Sequence, residues 1–127
     1  MFEIVRYKEL SVWQKAIDLT VEIYRLTKDL PKEELYGLTN QLQRAVVSIP
    51  SNIAEGNARF STKDYLRFLS MARGSVAEVE TQLLICVRLN YLVQENIEPT
   101  LSLLNEIERM LNSMITKLRE KEKNTRD

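Results

Sequence analysis

The sequence predicts an all-α protein that folds as an antiparallel four-helix bundle with up-down-up-down topology. The 127-residue chain contains only three glycines and three prolines, too few for the frequent turns of a β-sandwich or a β-barrel. Apolar residues recur three and four positions apart in four long segments, which is the spacing of helices that each bury one face. The connections between these segments are short, so each helix is expected to return beside its predecessor.

The first helix is predicted at residues 11–30. Ser11 and Gln14 have the spacing of a capping box at its start, and Pro31 ends it. Its apolar positions cover about 220° of the helical wheel, well beyond the stripe of about 100° that a surface helix needs. We therefore divide them into a face for the bundle core and a second face for contact with other copies of the chain. The core face contains Leu10, Trp13, Ile17, Val21 and Tyr24, and the predicted oligomer interface contains Val12, Leu19, Ile23, Leu26 and Leu30.

The third helix is predicted at residues 62–91. Ser61 and Asp64 form a capping box at its start, and Phe60 and Tyr65 are placed to act as the accompanying hydrophobic staple. This combination indicates that the helix begins directly after Ser61.

The second and fourth helices are predicted at residues 34–56 and 97–118. Their apolar residues alternate three and four positions apart, which is the seam spacing of a helical bundle. Residues 119–127 contain only charged and polar types, so we expect a disordered tail. The bundle domain is accordingly predicted at residues 1–118.

The composition argues against catalysis. Lysine plus arginine and aspartate plus glutamate each number 18, and the sequence contains no histidine and one cysteine, Cys86. The usual general base, the Ser-His triads and the histidine pairs of di-iron bundles are therefore missing. A single cysteine forms no intrachain disulfide and no zinc site, and its apolar neighbours indicate a buried thiol. We predict no enzymatic activity, no cofactor and no metal, and a cytoplasmic protein without a membrane segment.

Polar and small residues interrupt the apolar pattern of the second and third helices. In one interpretation they form a buried network in which an arginine pairs with a glutamate and the small residues let the two helices close. In the other they bind a ligand or a partner. The network is favoured because buried charges are kept only when they are paired. These residues are Arg44, Ser48, Asn52 and Glu55 on the second helix and Arg73, Gly74, Ser75 and Glu78 on the third.

Cationic residues form a second candidate site. Arg59, Lys63 and Arg67 are spaced by four and would lie on one ridge at the start of the third helix. Acidic neighbours such as Asp64 favour a solvated face over a phosphate contact. Direct nucleic-acid contact through this ridge remains the alternative interpretation. A further cationic cluster lies near the end of the chain, at Lys117, Arg119, Lys121, Lys123 and Arg126.

Two stretches carry a resemblance to a known family: QLQRAVVSIPSNIAEG at residues 41–56 and YLRFLSMARGSVAEVETQL at residues 65–83. They resemble the bacterial four-helix bundle proteins named after 23S rRNA intervening sequences, also called the S23 ribosomal protein family. LSVWQKAIDL and LPKEELYGLTNQL, earlier in the chain, also fit. The residues that match the family pattern are Arg44, Ser48, Asn52, Glu55, Gly56, Gly74, Ser75 and Glu78, and the family has no catalytic residues to transfer.

The resemblance also has implications for assembly and function. A related branch is the accessory variability determinant of diversity-generating retroelements, a ring-shaped homopentamer that binds a reverse transcriptase and nucleic acid. A homopentamer is therefore implied here. We expect a non-enzymatic oligomeric scaffold or adaptor associated with RNA or a ribonucleoprotein, with RNA or protein partners. The alternative is a small nucleic-acid-binding protein that uses cationic ridges repeated around a homo-oligomeric ring, and an enzyme or a ligand-binding bundle is the weakest hypothesis.

Overall fold

The computed structural model describes residues 6–125 and confirms the all-α four-helix bundle. The four α-helices are α1 (Ser11–Thr27), α2 (Leu38–Asn57), α3 (Thr62–Arg88) and α4 (Gln94–Thr125). Two short 3-10 helices precede α1 and α2, at Tyr7–Glu9 and Lys32–Glu34. No β-strand occurs within the described range.

The helices pack in a square. Both α1 and α3 contact α2 and α4, whereas the diagonal pairs make no comparable contact in residues 6–125. Hydrogen bonds link Gln41 to Gln82 and Ser48 to Ser75. Numbers rise along α2 while they fall along α3, so these two helices are antiparallel. The four helices thus follow the predicted up-down-up-down order.

One apolar core lies along the centre of the bundle. Each helix supplies side chains three and four positions apart, which places them on one face. Cys86 is buried among them as a free thiol, and burial is the main cause that raises its pKa. The largest fully buried side chains are Leu19, Ile23, Leu42, Ile49, Ile53, Leu69, Leu83, Ile97, Leu104, Ile107, Leu111 and Ile115.

The two predicted capping boxes have different outcomes. Ser61 accepts a hydrogen bond from the backbone N–H of Asp64 at 3.1 Å and caps α3. Ser11 caps nothing, because Leu10 holds the N-cap position of α1 without a side-chain hydrogen bond. Gln14 instead donates to the carbonyl of Lys8 at 2.9 Å. A short 3-10 helix therefore replaces the predicted capping box at the entry to α1.

The first three helices are shorter than predicted at one end. α1 ends at Thr27 rather than at residue 30. α2 begins at Leu38 rather than at residue 34, because Glu34 lies in the preceding 3-10 helix and its carboxylate accepts from the Leu38 N–H at 3.1 Å. α3 ends at Arg88 rather than at residue 91, since the chain turns at Asn90 with a φ of 62°.

The fourth helix is longer than predicted at both ends. It begins at Gln94 rather than at residue 97, and it continues to Thr125. The prediction of a disordered tail from residue 119 is therefore wrong for residues 119–125. Lysine, arginine and glutamate are good helix formers, and Leu118 packs against the core just before them. Residues 126 and 127 lie outside the described part of the chain.

No helix in residues 6–125 is both long enough and apolar enough to cross a membrane.

Candidate functional site

A polar groove runs along the outer side of the α2–α3 pair and has a volume of about 620 Å³. Serine hydroxyls form part of its floor: Ser48 donates to Ser75 at 2.5 Å, and Ser75 also donates to the carbonyl of Met71. The amide of Asn52 donates to the Ser48 carbonyl at 2.8 Å. Gln82 and Gln41 form a long hydrogen bond of 3.4 Å near the other end. The groove is lined by Gln41, Arg44, Ala45, Ser48, Asn52, Met71, Gly74, Ser75, Glu78 and Gln82.

The charged members of the predicted network do not pair across the two helices. Arg44, Glu55, Arg73 and Glu78 are all exposed. Arg73 points to α4, where it donates to Asn112 at 3.0 Å. Glu55 pairs at 3.5 Å with Arg59, which lies just after the end of α2. The prediction of buried arginine–glutamate pairs between α2 and α3 is therefore wrong. Solvent at the groove removes the requirement for such pairs, because exposed charges keep their hydration.

The glycine that allows α2 and α3 to approach is Gly56, not Gly74. A Cβ atom added at Gly56 would lie 2.8 Å from the Cβ of Phe68 and 2.9 Å from a ring carbon of Tyr65. A Cβ added at Gly74 would meet no atom within 4 Å. The predicted role of Gly74 in closing the two helices is therefore wrong, since this residue faces open space beside the groove.

An apolar stripe lies on the outer face of α1. Ile17, Val21 and Tyr24 are exposed by 37%, 46% and 42%, and Val47 on the adjacent helix α2 is also exposed. We call these four residues the apolar stripe. A shallow depression lined by Tyr24, Val47, Arg44 and Ser48 connects it to the polar groove. Stripe and groove thus form one continuous surface across α1, α2 and α3.

The two faces of α1 are the reverse of the sequence prediction. Val12, Leu19, Ile23 and Leu30 were expected at an oligomer interface, but they are buried in the core of the single chain. Leu26 is partly buried against the same core. In the predicted core group, Leu10 and Trp13 are partly buried, whereas Ile17, Val21 and Tyr24 face outward. Both groups are apolar, so hydrophobicity alone could not assign them, and the neighbouring helices decide the orientation.

The cationic ridge lies where α2 turns into α3. The guanidinium groups of Arg59 and Arg67 lie 4.9 Å and 4.6 Å from the ring centroid of Phe68, which is cation–π distance. Lys63 is exposed on the same helix face. Glu55 partly neutralises the ridge through its ion pair with Arg59. The structure thus brings two of the three cations together on one aromatic ring.

Sequence reasoning missed a fully exposed aromatic residue beside this ridge. Phe60 was predicted to be a hydrophobic staple against Tyr65, but its side chain is 107% exposed relative to an unfolded reference. Tyr65 instead accepts a hydrogen bond from Asn57 at 3.3 Å. The cap at Ser61 forms without the staple, which leaves the Phe60 ring free. The adjacent Arg59 is the sequence signal that could have indicated a surface role.

Within residues 6–125, no group of three histidine, cysteine, aspartate or glutamate residues is arranged to hold a metal ion. The chemistry that the surface offers is therefore hydrogen bonding, ion pairing and apolar contact.

The structure and the sequence are both similar to those of known proteins. The structure is similar to that of a protein of unknown function from the S23 ribosomal protein family of Bacteroides thetaiotaomicron VPI-5482, with a TM-score of 0.76 and 28% sequence identity. The similarity covers 82% of this chain and 97% of the other chain. No curated protein matches the sequence. The family model of the 23S rRNA-intervening sequence protein matches residues 8–113, and the chain therefore belongs to this family.

Proposed function

We propose that this protein is a non-enzymatic, homo-oligomeric scaffold or adaptor of the cytoplasm that associates with RNA or a ribonucleoprotein. The observation that carries this proposal is the continuous surface formed by the apolar stripe and the polar groove. The family name supports a link to ribosomal RNA, and the resemblance to the ring-forming branch of the family implies a pentamer.

The apolar stripe supports self-association because the completed bundle leaves it uncovered. Isolated exposed apolar side chains are normal, whereas a contiguous group beside a polar rim is typical of an interaction site. Ile17, Val21 and Tyr24 follow one another along a single helix face, and Val47 extends the group to α2. The balance of 18 cationic and 18 anionic residues also allows copies to approach without net repulsion.

Light scattering coupled to gel filtration tests the oligomer directly. We expect a mass that is a multiple of the chain mass of 14.8 kDa, with five copies as the predicted number. Val21→Glu should reduce this mass, since it places a charge in the apolar stripe. Leu84→Glu is a matched control, because Leu84 is exposed to a similar extent, 43%, outside the stripe. A wild-type mass near 14.8 kDa at all concentrations would refute the oligomer.

A second candidate function is direct binding of single-stranded nucleic acid at the cationic ridge. The specific observation in its favour is the exposed ring of Phe60, which directly follows Arg59 in the chain. Bases stack on exposed aromatic rings, and cations next to the ring neutralise the phosphates. One copy offers few phosphate contacts, so strong binding would require repetition of the ridge around an oligomer.

Fluorescence anisotropy with single-stranded RNA at low salt tests this candidate. We expect an affinity that falls steeply as salt rises and shows no base preference. Phe60→Ala should weaken binding by removing the stacking ring, and Lys63→Glu combined with Arg67→Glu should abolish it. Tyr36→Ala is the control, since this exposed aromatic residue lies at the opposite end of the bundle. Equal affinities of the wild type and the three variants would exclude the cationic ridge as the RNA-binding site.

A further inference from the structure

We propose that the polar groove is a contact between two copies of this chain, in which Arg44 of one copy pairs with Glu78 of the next. This inference rests on the proposed homo-oligomer and identifies the surface and the ion pair that would hold it. The register of α2 and α3, the unpaired charges and the open space at Gly74 support it.

The two walls of the groove match each other residue by residue. Because α2 and α3 are antiparallel, hydrogen-bonded residues lie at the same height along the bundle: Gln41 with Gln82, and Ser48 with Ser75. Arg44 lies between Gln41 and Ser48 on one wall. Glu78 occupies the corresponding position on the other wall.

A rotation about an axis parallel to the helices relates two copies in which each residue lies at the same height along the bundle. In such an arrangement α2 of one copy lies against α3 of its neighbour. Gln41 then meets Gln82, Arg44 meets Glu78, and Ser48 meets Ser75, each from a different chain. In a two-fold dimer both walls of one groove meet the same neighbour, whereas in a closed ring the α2 wall meets one neighbour and the α3 wall meets the other; in both cases Arg44 of one copy faces Glu78 of another.

The charges at the centre of this contact have no partner of their own. Neither Arg44 nor Glu78 forms an ion pair within 4.0 Å in the described residues, although opposite charges line the same groove. A neighbouring copy would supply one opposite charge for each. Charge-assisted hydrogen bonds between arginine and carboxylate are among the stronger polar contacts. They also favour a single register between the two chains.

One further feature of the groove agrees with a covered surface. Gly74 lowers helix propensity by about 1 kcal/mol relative to alanine, yet no atom lies within 4 Å of the position where its Cβ would be. A missing side chain at this position allows a neighbouring backbone to approach closely.

Charge reversal tests the proposed pair. Arg44→Glu and Glu78→Arg should each be monomeric at a concentration at which the wild type is oligomeric. Each substitution places two like charges at every contact between copies. The double variant Arg44→Glu/Glu78→Arg should recover the wild-type mass. Gly74→Leu should also lose the oligomer, since its side chain would project into the contact. Circular dichroism checks that each variant remains folded, which we expect because all three positions are exposed.

Mixing the two single variants shows whether the pair joins different chains. Tagged Arg44→Glu should retain untagged Glu78→Arg on an affinity column, because every junction between the two variants restores opposite charges. Neither variant should retain an untagged copy of itself. An ion pair within one chain would not be restored by mixing.

The outcomes separate this inference from the proposed function. If the wild type is a monomer, the homo-oligomer itself is refuted. If the wild type is an oligomer and both reversed variants keep its mass, the oligomer stands and the groove is not the contact. Loss of the oligomer in both single variants without recovery in the double variant would also refute the Arg44–Glu78 pair.

Discussion

Gly56 of α2 packs against Phe68 of α3 so closely that an added Cβ would lie 2.8 Å from the Cβ of Phe68. The same atom would lie 3.3 Å from the backbone carbonyl of Tyr65. Backbone cannot yield as a flexible side chain can, so this glycine sets how near the two helices lie at this end of the bundle. Phe68 is also the ring on which Arg59 and Arg67 lie, which connects helix packing to the position of the cationic ridge.

Replacement of this glycine should separate the two helices. We expect Gly56→Ala to lower the free energy of unfolding by about 1–3 kcal/mol, the usual cost of overpacking. Gly74→Ala is the matched control in α3. This change should raise the free energy of unfolding by about 0.5–1 kcal/mol, because alanine has a higher helix propensity than glycine. Urea unfolding at low protein concentration measures both changes, and equal effects at the two glycines would contradict the packing described here.

Two isoleucines of α1 test which face of this helix is buried. Ile23 is fully buried, whereas Ile17 is exposed. Ile23→Ala should lower the free energy of unfolding by about 2–5 kcal/mol, because it leaves a cavity in the core. Ile17→Ala should lower the free energy of unfolding by about 0.5 kcal/mol or less. Its main effect should be a lower oligomer mass. Thermal unfolding and light scattering of the two variants separate these effects. A larger loss of stability in Ile17→Ala than in Ile23→Ala would mean that the face predicted from the sequence is the buried one.

Two serines with the same predicted role test the helix caps. Ser61→Ala should lower the free energy of unfolding by about 1 kcal/mol, since it removes the acceptor for the Asp64 N–H. Ser11→Ala should have almost no effect, because Ser11 makes no capping hydrogen bond. Urea denaturation of both variants provides the comparison. A similar loss in the two variants would mean that α1 is capped as the sequence predicts.

The hydrogen bond between the two connections at one end of the bundle should give stability a dependence on alkaline pH. Tyr91 donates its hydroxyl proton to Glu34 at 3.0 Å. This bond is the largest cause that raises the pKa of Tyr91, and burial and nearby acidic groups add to it. The folded chain therefore holds the proton more tightly than the unfolded chain, in which the pKa is about 10. The resulting stability is complete below pH of about 10 and is lost as the pH rises through the folded pKa.

Tyr91→Phe should therefore lower stability at neutral pH and flatten the decline at alkaline pH. Part of the decline should persist in this variant, because burial also raises the pKa of Tyr65 and Cys86. Urea midpoints between about pH 8 and pH 11 measure the profile. Tyr36→Phe, at an exposed tyrosine in the connection between α1 and α2, is the control. An identical profile for wild type and Tyr91→Phe would exclude a contribution from this bond.

The helices themselves could be predicted because their signals are local. The three- and four-residue spacing of apolar side chains marks each helix, and the Ser61 cap involves groups only three residues apart. Helix ends were predicted less well, since they depend on contacts that local patterns do not contain. Glu34, for example, caps α2 with its side chain and binds Tyr91 of a distant connection with the other carboxylate oxygen.

Features of the candidate site depended on the relation between helices. The sequence places Arg44 and Glu78 on helix faces with small polar residues, but it does not reveal that both side chains are exposed. Gly56 and Gly74 are the same residue type inside predicted helices, and only the neighbouring helix distinguishes a close contact from open space. Phe60 likewise fitted a local motif, while its exposure follows from the position of the turn.

The amino-acid sequence was sufficient to show that this chain forms four helices, that they enclose one core and that the chain resembles its family. These properties follow from periodicity and short connections, which act over a few residues. The packing of the four helices was needed to show which apolar face of α1 is buried, since both faces are apolar and burial of either would remove apolar surface from water. It also decided which charges remain unpaired, because pairing depends on distances between side chains that are far apart in the sequence.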